Sequence, residues 1–203
     1  MIRVYEYTDK VIRYLTKKLI RTFSTAKISL LSFDELNVLD YTSKMYDTLR
    51  ADAVKAYWLL AKDSYKKNLA EGVKGKLTSD WLDDYLLEYN PVMKYVYEHE
   101  VERKAAKFAE SVIASQNRAK EIDAGMRSWS KMTNWFAVDV TDAATLKAYQ
   151  DSGVESVIWE TERDGRQCME CDKRNGRVYP IDRVPPKPHP GCRCRLRPYQ
   201  RKG

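Results

Sequence analysis

The chain has 203 residues, of which 43% are hydrophobic, and a formal net charge of +7. This length allows one core, or a helical region with a small satellite module. No run of 18 apolar residues occurs, and the N-terminus lacks a secretory signal pattern, so we expect neither a membrane span nor an exported chain. In the reducing cytosol, clustered cysteines hold metal more often than they form disulfides.

The first half of the chain is predicted to be helical. Residues 9–23 have apolar positions at helical spacing. Ser32, with Glu35 three residues later, predicts a capping box at the start of one long helix that ends near Gly72. Thr78 or Ser79 is expected to cap a short helix, which must end before residues 90–91 because proline restricts the residue before it.

Helical spacing continues as far as Gly153. Pro91 suits the first turn of the next helix, whose apolar positions run to Ile113. Residues 119–135 form a further predicted helix, and Thr141 is expected to cap another through Tyr149. Gly153 supplies the left-handed residue that ends it.

The pattern changes to β structure after residue 153. Residues 154–161 are rich in branched and aromatic side chains and predict a strand, closed by a turn at residues 164–165. A turn at residues 175–176 leads into a second extended segment, and the proline-rich run 184–190 must be irregular. A closing strand over residues 193–197 is expected to pair with the first. The predicted fold class is therefore α+β, a mostly helical body with a small C-terminal β module.

All four cysteines lie in this module, as Cys168-x-x-Cys171 and Cys192-x-Cys194, with His189 just before the second pair. Two such pairs can supply the four tetrahedral ligands of a structural zinc ion. In a regular strand, however, Cys192 and Cys194 would lie about 6.8 Å apart, so a bend is needed. Either all four cysteines bind zinc, or His189 replaces one of Cys192 and Cys194. Disulfides formed after release from the cell, or free buried thiols, are the alternatives.

The positive charge is concentrated in the same module. Residues 160–203 contain twelve Lys and Arg against six Asp and Glu, whereas the first 159 residues contain 24 against 23. A segment of one sign favours a polyanion such as nucleic acid, although a basic tail that only aids solubility has the same composition. The predicted nucleic-acid-binding residues are Arg183, Lys187, Arg193, Arg195, Arg197, Arg201 and Lys202.

The residues around the cysteines carry a resemblance to a known family. The runs 157–171 (VIWETERDGRQCMEC), 175–180 (NGRVYP) and 185–194 (PPKPHPGCRC) resemble the signature of the phage Mu F-like head-morphogenesis family. The helical segment from Tyr95 to Lys104 and the segment Val140–Ala144 are also similar to members. The resemblance covers roughly residues 90–198.

The resemblance implies a minor head protein of a tailed phage, made in the bacterial cytoplasm and located in the virion, inside the head or at the portal vertex. The portal, capsid or scaffold proteins are its implied partners, with double-stranded DNA as a further one and no membrane. Residues 1–90 would then be a helical docking region, 91–153 the helical part of the head-morphogenesis domain, and 154–203 the zinc-knuckle-like module with its basic tail.

Two other functions fit the residues. One is a zinc-ribbon-like protein that binds nucleic acid without any capsid. The other is a nuclease, with His189 as general base and Arg193 or Arg195 stabilising the transition-state charge. The position of His189 between two prolines favours a structural turn. A zinc ion with four protein ligands would also leave no position for a catalytic water. We therefore expect a non-enzymatic protein with no catalytic residues.

Overall fold

Five helices form the body of the molecule in a computed structural model that describes residues 2–88, 96–162, 168–189 and 191–200, with side chains from residue 9 onward. They are α1 (Ile2–Leu30), α2 (Glu35–Asn68), α3 (Ser79–Leu87), α4 (Tyr97–Ala114) and α5 (Arg118–Asp151). The C-terminal module contains β1 (Ser156–Glu160), α6 (Met169–Arg174), β2 (Val178–Pro180), a 3₁₀ turn (Ile181–Arg183) and β3 (Arg195–Pro198). The predicted α+β class is confirmed. No helix among the described residues is long and apolar enough to cross a membrane.

The helices pack around a single apolar core. The long helices α2 and α5 lie against each other, and α1 and α4 contact both. Aromatic rings fill the centre: Phe108 of α4 packs edge-on against Phe23 of α1, and Tyr46 of α2 packs edge-on against Trp129 of α5. Residues 1–90 and 91–153, which were predicted as two helical regions, therefore share one core.

The helix α2 begins later than its predicted capping box. Asp34, not Ser32, is the N-cap, and its carboxylate accepts a hydrogen bond from the Asn37 amide at 2.9 Å. The hydroxyl of Ser32 instead donates to the Ser29 carbonyl at the end of α1. The predicted Thr78 cap of α3 is confirmed, since its hydroxyl oxygen accepts from the Trp81 amide.

The predicted break before Thr141 is wrong. The helix α5 runs without interruption from residue 118 to 151, and Thr141 is buried in its interior. Its hydroxyl donates to the Ala137 carbonyl at 2.7 Å, while the Thr141 carbonyl accepts from the Ser64 hydroxyl of α2. A hydroxyl satisfied within its own helix does not act as a cap. Gly153, with φ of 72°, ends the helix as predicted.

Some predicted features lie outside the described residues. These are the start of the fourth helix at Pro91 and the turn at residues 164–165. The third helix ends at Leu87, before residues 90–91 as predicted. The described part of α4 begins at Tyr97, and α2 ends at Asn68, four residues before Gly72.

The module contains a three-stranded antiparallel sheet in the order β2-β1-β3. In the central strand, Val157 pairs with Tyr179 of β2, and Trp159 pairs with Leu196 of β3, so the predicted closing strand is confirmed. The Tyr149 hydroxyl near the end of α5 lies 3.2 Å from the Asn68 side-chain oxygen of α2 and 3.5 Å from the Leu196 carbonyl of β3, and its one proton is shared between these two acceptors. The sheet is thereby attached to the C-terminal end of α5.

At its N-terminal end, α5 is attached to the loop that connects α1 to α2. The guanidinium of Arg118, the first residue of α5, donates to the carbonyls of Leu30 and Phe33 at 3.1 and 2.6 Å. Leu30 is the last residue of α1 and Phe33 lies in the loop after it, so neither carbonyl has a hydrogen-bond partner within the helix.

Candidate metal centre

The first cysteine pair lies at the start of the short helix α6. Cys168 is the N-cap residue, and its sulfur accepts a hydrogen bond from the Cys171 amide at 3.4 Å. Residues three apart share one face of a helix, so Cys168 and Cys171 direct their sulfurs to the same side. The Cys168-x-x-Cys171 spacing therefore spans the first turn of a short helix.

The second pair lies in an irregular segment before β3. Gly191 has φ of 71°, a left-handed conformation that favours glycine, and a Cβ there would lie 3.3 Å from the Trp135 ring of α5. The chain therefore bends ahead of Cys192 and Cys194, as the Cys-x-Cys spacing requires. Both side chains are buried.

The cysteines and His189 converge on Cys171. Ligand atoms of Cys168, Cys171 and His189 lie within 4.8 Å of one another, and so do those of Cys171, Cys192 and Cys194. The Cys171 sulfur is 3.4 Å from that of Cys192 and 3.7 Å from Nε2 of His189.

These separations suit a metal ion. A zinc–sulfur distance of about 2.3 Å gives tetrahedral ligands that are roughly 3.8 Å apart. A disulfide would require the two sulfurs to be about 2.05 Å apart. All four cysteines are free in the structure. Cys171 belongs to both groups of three, so it is common to both groups of residues that could hold a metal ion.

The surroundings of the sulfurs differ. Burial raises the pKa of the Cys171 thiol, and it also raises the pKa of Cys192, against the opposing charge of Lys187. For Cys194, burial also raises the pKa, but contacts with Thr161 and Cys171 outweigh it and the pKa is lowered. A buried thiol stays protonated unless a positive charge favours the thiolate, which a bound metal ion supplies.

Lys187 lies between the cysteine loop and the body. Its ammonium donates to the backbone carbonyls of Cys192 and Cys194 and lies 2.9 Å from the Asp142 carboxylate of α5. The Lys187 side chain is only 16% exposed, and it also faces the Trp159 ring. Burial raises the pKa of Asp142, and the adjacent Lys187 opposes that shift. The side chain predicted to contact nucleic acid therefore points inward.

The other predicted basic residues are placed differently. Arg183 and Arg193 are exposed, with Asp182 at 3.7 Å from Arg183. Two residues of β3 are half-buried and form ion pairs: Arg195 with Glu162 at 3.1 Å and Arg197 with Glu160 at 2.5 Å. Arg201 and Lys202 lie outside the described residues.

Sequence reasoning missed three residues that shape the centre. Trp159 is almost fully buried and forms the small core of the module with the cysteines. The Thr161 hydroxyl donates to the Cys171 carbonyl at 2.8 Å, and Asp142 reaches the module through Lys187. No sequence motif comparable to the cysteine pairs identifies these residues. The only sequence signal was the predicted strand that contains Trp159.

The fold and the cluster define an α+β protein in which a candidate metal-binding module is attached to a helical body. Comparison of the chain with family models, with curated proteins and with solved structures gave no significant match.

Proposed function

We propose that this chain is a non-enzymatic minor head protein of a tailed phage, located in the virion at the portal vertex or head interior. The observation that supports the proposal is that Cys168, Cys171 and His189, and likewise Cys171, Cys192 and Cys194, bring their ligand atoms within 4.8 Å of one another, with Cys171 in both groups. These are the residues of the sequence signature that resembles the phage Mu F-like head-morphogenesis family. A signature whose donors meet in space is expected of a shared structural element.

In this proposal, a zinc ion holds the module together and does no chemistry. Cys168, Cys171 and Cys192 supply three ligands, and His189 or Cys194 supplies the fourth. Four protein ligands leave no open position for a water or substrate, which is the arrangement of structural zinc sites. The position of His189, 3.7 Å from the Cys171 sulfur, favours a ligand or a supporting contact over a general base that faces solvent.

The helical body is the proposed docking region for the portal, capsid or scaffold proteins, and the exposed basic residues of the module are the proposed contacts with packaged DNA. Arg183 and Arg193 are the exposed candidates in the described part of the module. Arg195 and Arg197 have carboxylate partners, so a phosphate must compete with Glu162 and Glu160. DNA affinity should therefore be modest, fall with added salt, and weaken on replacement of Arg183 and Arg193.

The role in the particle is tested by mass spectrometry of purified phage and of its procapsids. The chain should be present in both, at a low copy number relative to the capsid protein. Its absence from particles that contain their portal protein would overturn the proposed function.

The metal site is tested by zinc analysis of freshly purified protein and its variants. The wild-type chain should contain one zinc per molecule, and Cys171→Ser should lose it, because Cys171 belongs to both groups of donors. Comparing His189→Ala with Cys194→Ser identifies the fourth ligand, since only the ligand's loss should release zinc. His99→Ala, at an exposed histidine of α4, is the matched control. Zinc well below one per chain, with freely titratable thiols, would contradict the site.

A further inference from the structure

A cavity in the helical body is lined only by residues outside the C-terminal module. It has a volume of about 220 Å³ and opens between α4 and α5, with Tyr46 of α2 at its lining. Pockets for drug-sized ligands occupy about 300–1,000 Å³, so this cavity suits a smaller group. The polar residues that line it are Tyr46, Arg103, Lys104, Lys107, Ser111 and Ser128, together with Glu121.

The charge of this lining is mainly positive. Arg103, Lys104 and Lys107 follow one another on α4, and Glu121 is the one acidic side chain among the lining residues. The Arg103 guanidinium also forms two hydrogen bonds of 2.8 Å with the carboxylate of Glu100 on the same helix. These bonds fix the guanidinium in place at the cavity.

Lys104 connects the two helices that form the cavity. Its ammonium donates to the Ser128 hydroxyl oxygen at 2.8 Å, across the gap from α4 to α5. Burial lowers the pKa of Lys104, Arg103 and Lys107 lower it further, and Glu100 opposes them. Because Ser128 accepts this bond, its own hydroxyl proton remains available to a ligand.

The Tyr46 hydroxyl is a second, independent feature of the cavity. Tyr46 lines the cavity, although the residue is only 2% exposed. Burial alone raises its pKa, so the phenol is a neutral donor at physiological pH. A phenol hydroxyl of this kind can donate one hydrogen bond to a group in the cavity.

We propose that the α4–α5 cavity binds a phosphate group, held by Lys104, Lys107 and the hydroxyls of Tyr46 and Ser128. Each of these groups can donate a hydrogen bond, and an oxyanion accepts several at once. The phosphate belongs either to a small phosphorylated compound or to a nucleic-acid backbone, which share this chemistry. The inference is independent of the proposed role in the phage head and of the cysteine cluster.

The first experiment compares the thermal midpoint of unfolding in sodium phosphate and in sodium chloride at equal ionic strength. A ligand that binds only the folded state raises the midpoint in proportion to its affinity and concentration. The wild-type chain should be stabilised by inorganic phosphate. Lys104→Gln and Lys107→Gln should each need at least about tenfold more phosphate for the same shift, because each removes a charged donor. Tyr46→Phe removes only the hydroxyl and should need about fivefold more.

The matched control is Lys66→Gln, which removes one exposed charge from α2 about 30 Å along the helix from Tyr46. It should leave the phosphate shift unchanged. No shift in the wild-type chain, or an equal loss in Lys66→Gln and the cavity variants, would overturn the proposal.

The second experiment identifies the source of the phosphate. The same variants are titrated against a short DNA duplex, with fluorescence anisotropy as the readout. Weaker duplex binding by Lys104→Gln and Tyr46→Phe assigns the cavity to a nucleic-acid backbone. Unchanged duplex binding, alongside a lost phosphate shift, assigns it to a small phosphorylated compound.

Discussion

Removal of the metal should unfold the C-terminal module and leave the helical body folded. The module has a very small core, formed by Trp159 and three buried cysteines. Burying one large apolar side chain contributes about 3 kcal/mol. Ordering the backbone costs roughly 1–2 kcal/mol per residue, so the five residues of β1 alone cost more than Trp159 returns. A structural zinc ion contributes about 10–16 kcal/mol to small domains, which is the scale that the module needs.

The assay is hydrogen exchange with mass spectrometry, before and after removal of zinc by a chelator. Amides of β1, β2 and β3 should lose protection, whereas those of α2 and α5 should keep it because their core does not include the cysteines. Far-ultraviolet circular dichroism should show that most helical signal remains. Restoring zinc should restore protection of the strands.

The result that would refute this reasoning is full protection of the strands in protein shown to be free of metal and with reduced thiols. The module would then be held by its contacts with α5, such as the bond from the Tyr149 hydroxyl to Leu196.

Three further predictions concern stability, each measured by denaturant unfolding. Gly125→Ala should destabilise the chain by about 1–2 kcal/mol, although alanine favours helices, because the added Cβ would lie 2.3 Å from the Phe108 ring; a neutral or stabilising effect would contradict this packing. Asp34→Ala should cost about 1 kcal/mol and Ser32→Ala much less, whereas the reverse order would restore the capping box that the sequence predicted. Lys187→Met should lower the free energy of unfolding by about 2 kcal/mol, which is less than the loss expected for a fully buried ion pair, and the variant should release zinc more readily. Unchanged stability and unchanged zinc retention would contradict the role of Lys187 as a link between the cysteine loop and α5.

The helices were predictable because their signals are local and repeated. Apolar spacing located all five described helices of the body, and Thr78 and Gly153 marked two of their ends. The prediction failed where a residue far away in the sequence determines the local structure. Thr141 has the side chain of a cap, but the Ser64 hydroxyl of α2 meets its carbonyl in the folded body. No local pattern reveals that contact.

The candidate metal centre was predictable in its members but not in its surroundings. The spacing identified the four cysteines and His189, and strand geometry predicted a bend at the second pair, which the structure places at Gly191. The orientation of Lys187 was not visible, because a lysine in a basic segment has the same sequence signal whether it faces solvent or a buried carboxylate. Its partner Asp142 lies 45 residues earlier, on α5.

The length of α5 has a mechanical consequence. Its 34 residues span about 51 Å, and each end is fastened, by Arg118 to the end of α1 and by Tyr149 to the sheet. A continuous helix that is attached at both ends fixes the distance between the parts that it joins. The cysteine loop packs beside Trp135 and Asp142, in the second half of the helix, so α5 holds the cluster roughly 25–35 Å along its axis from the turn between α1 and α2.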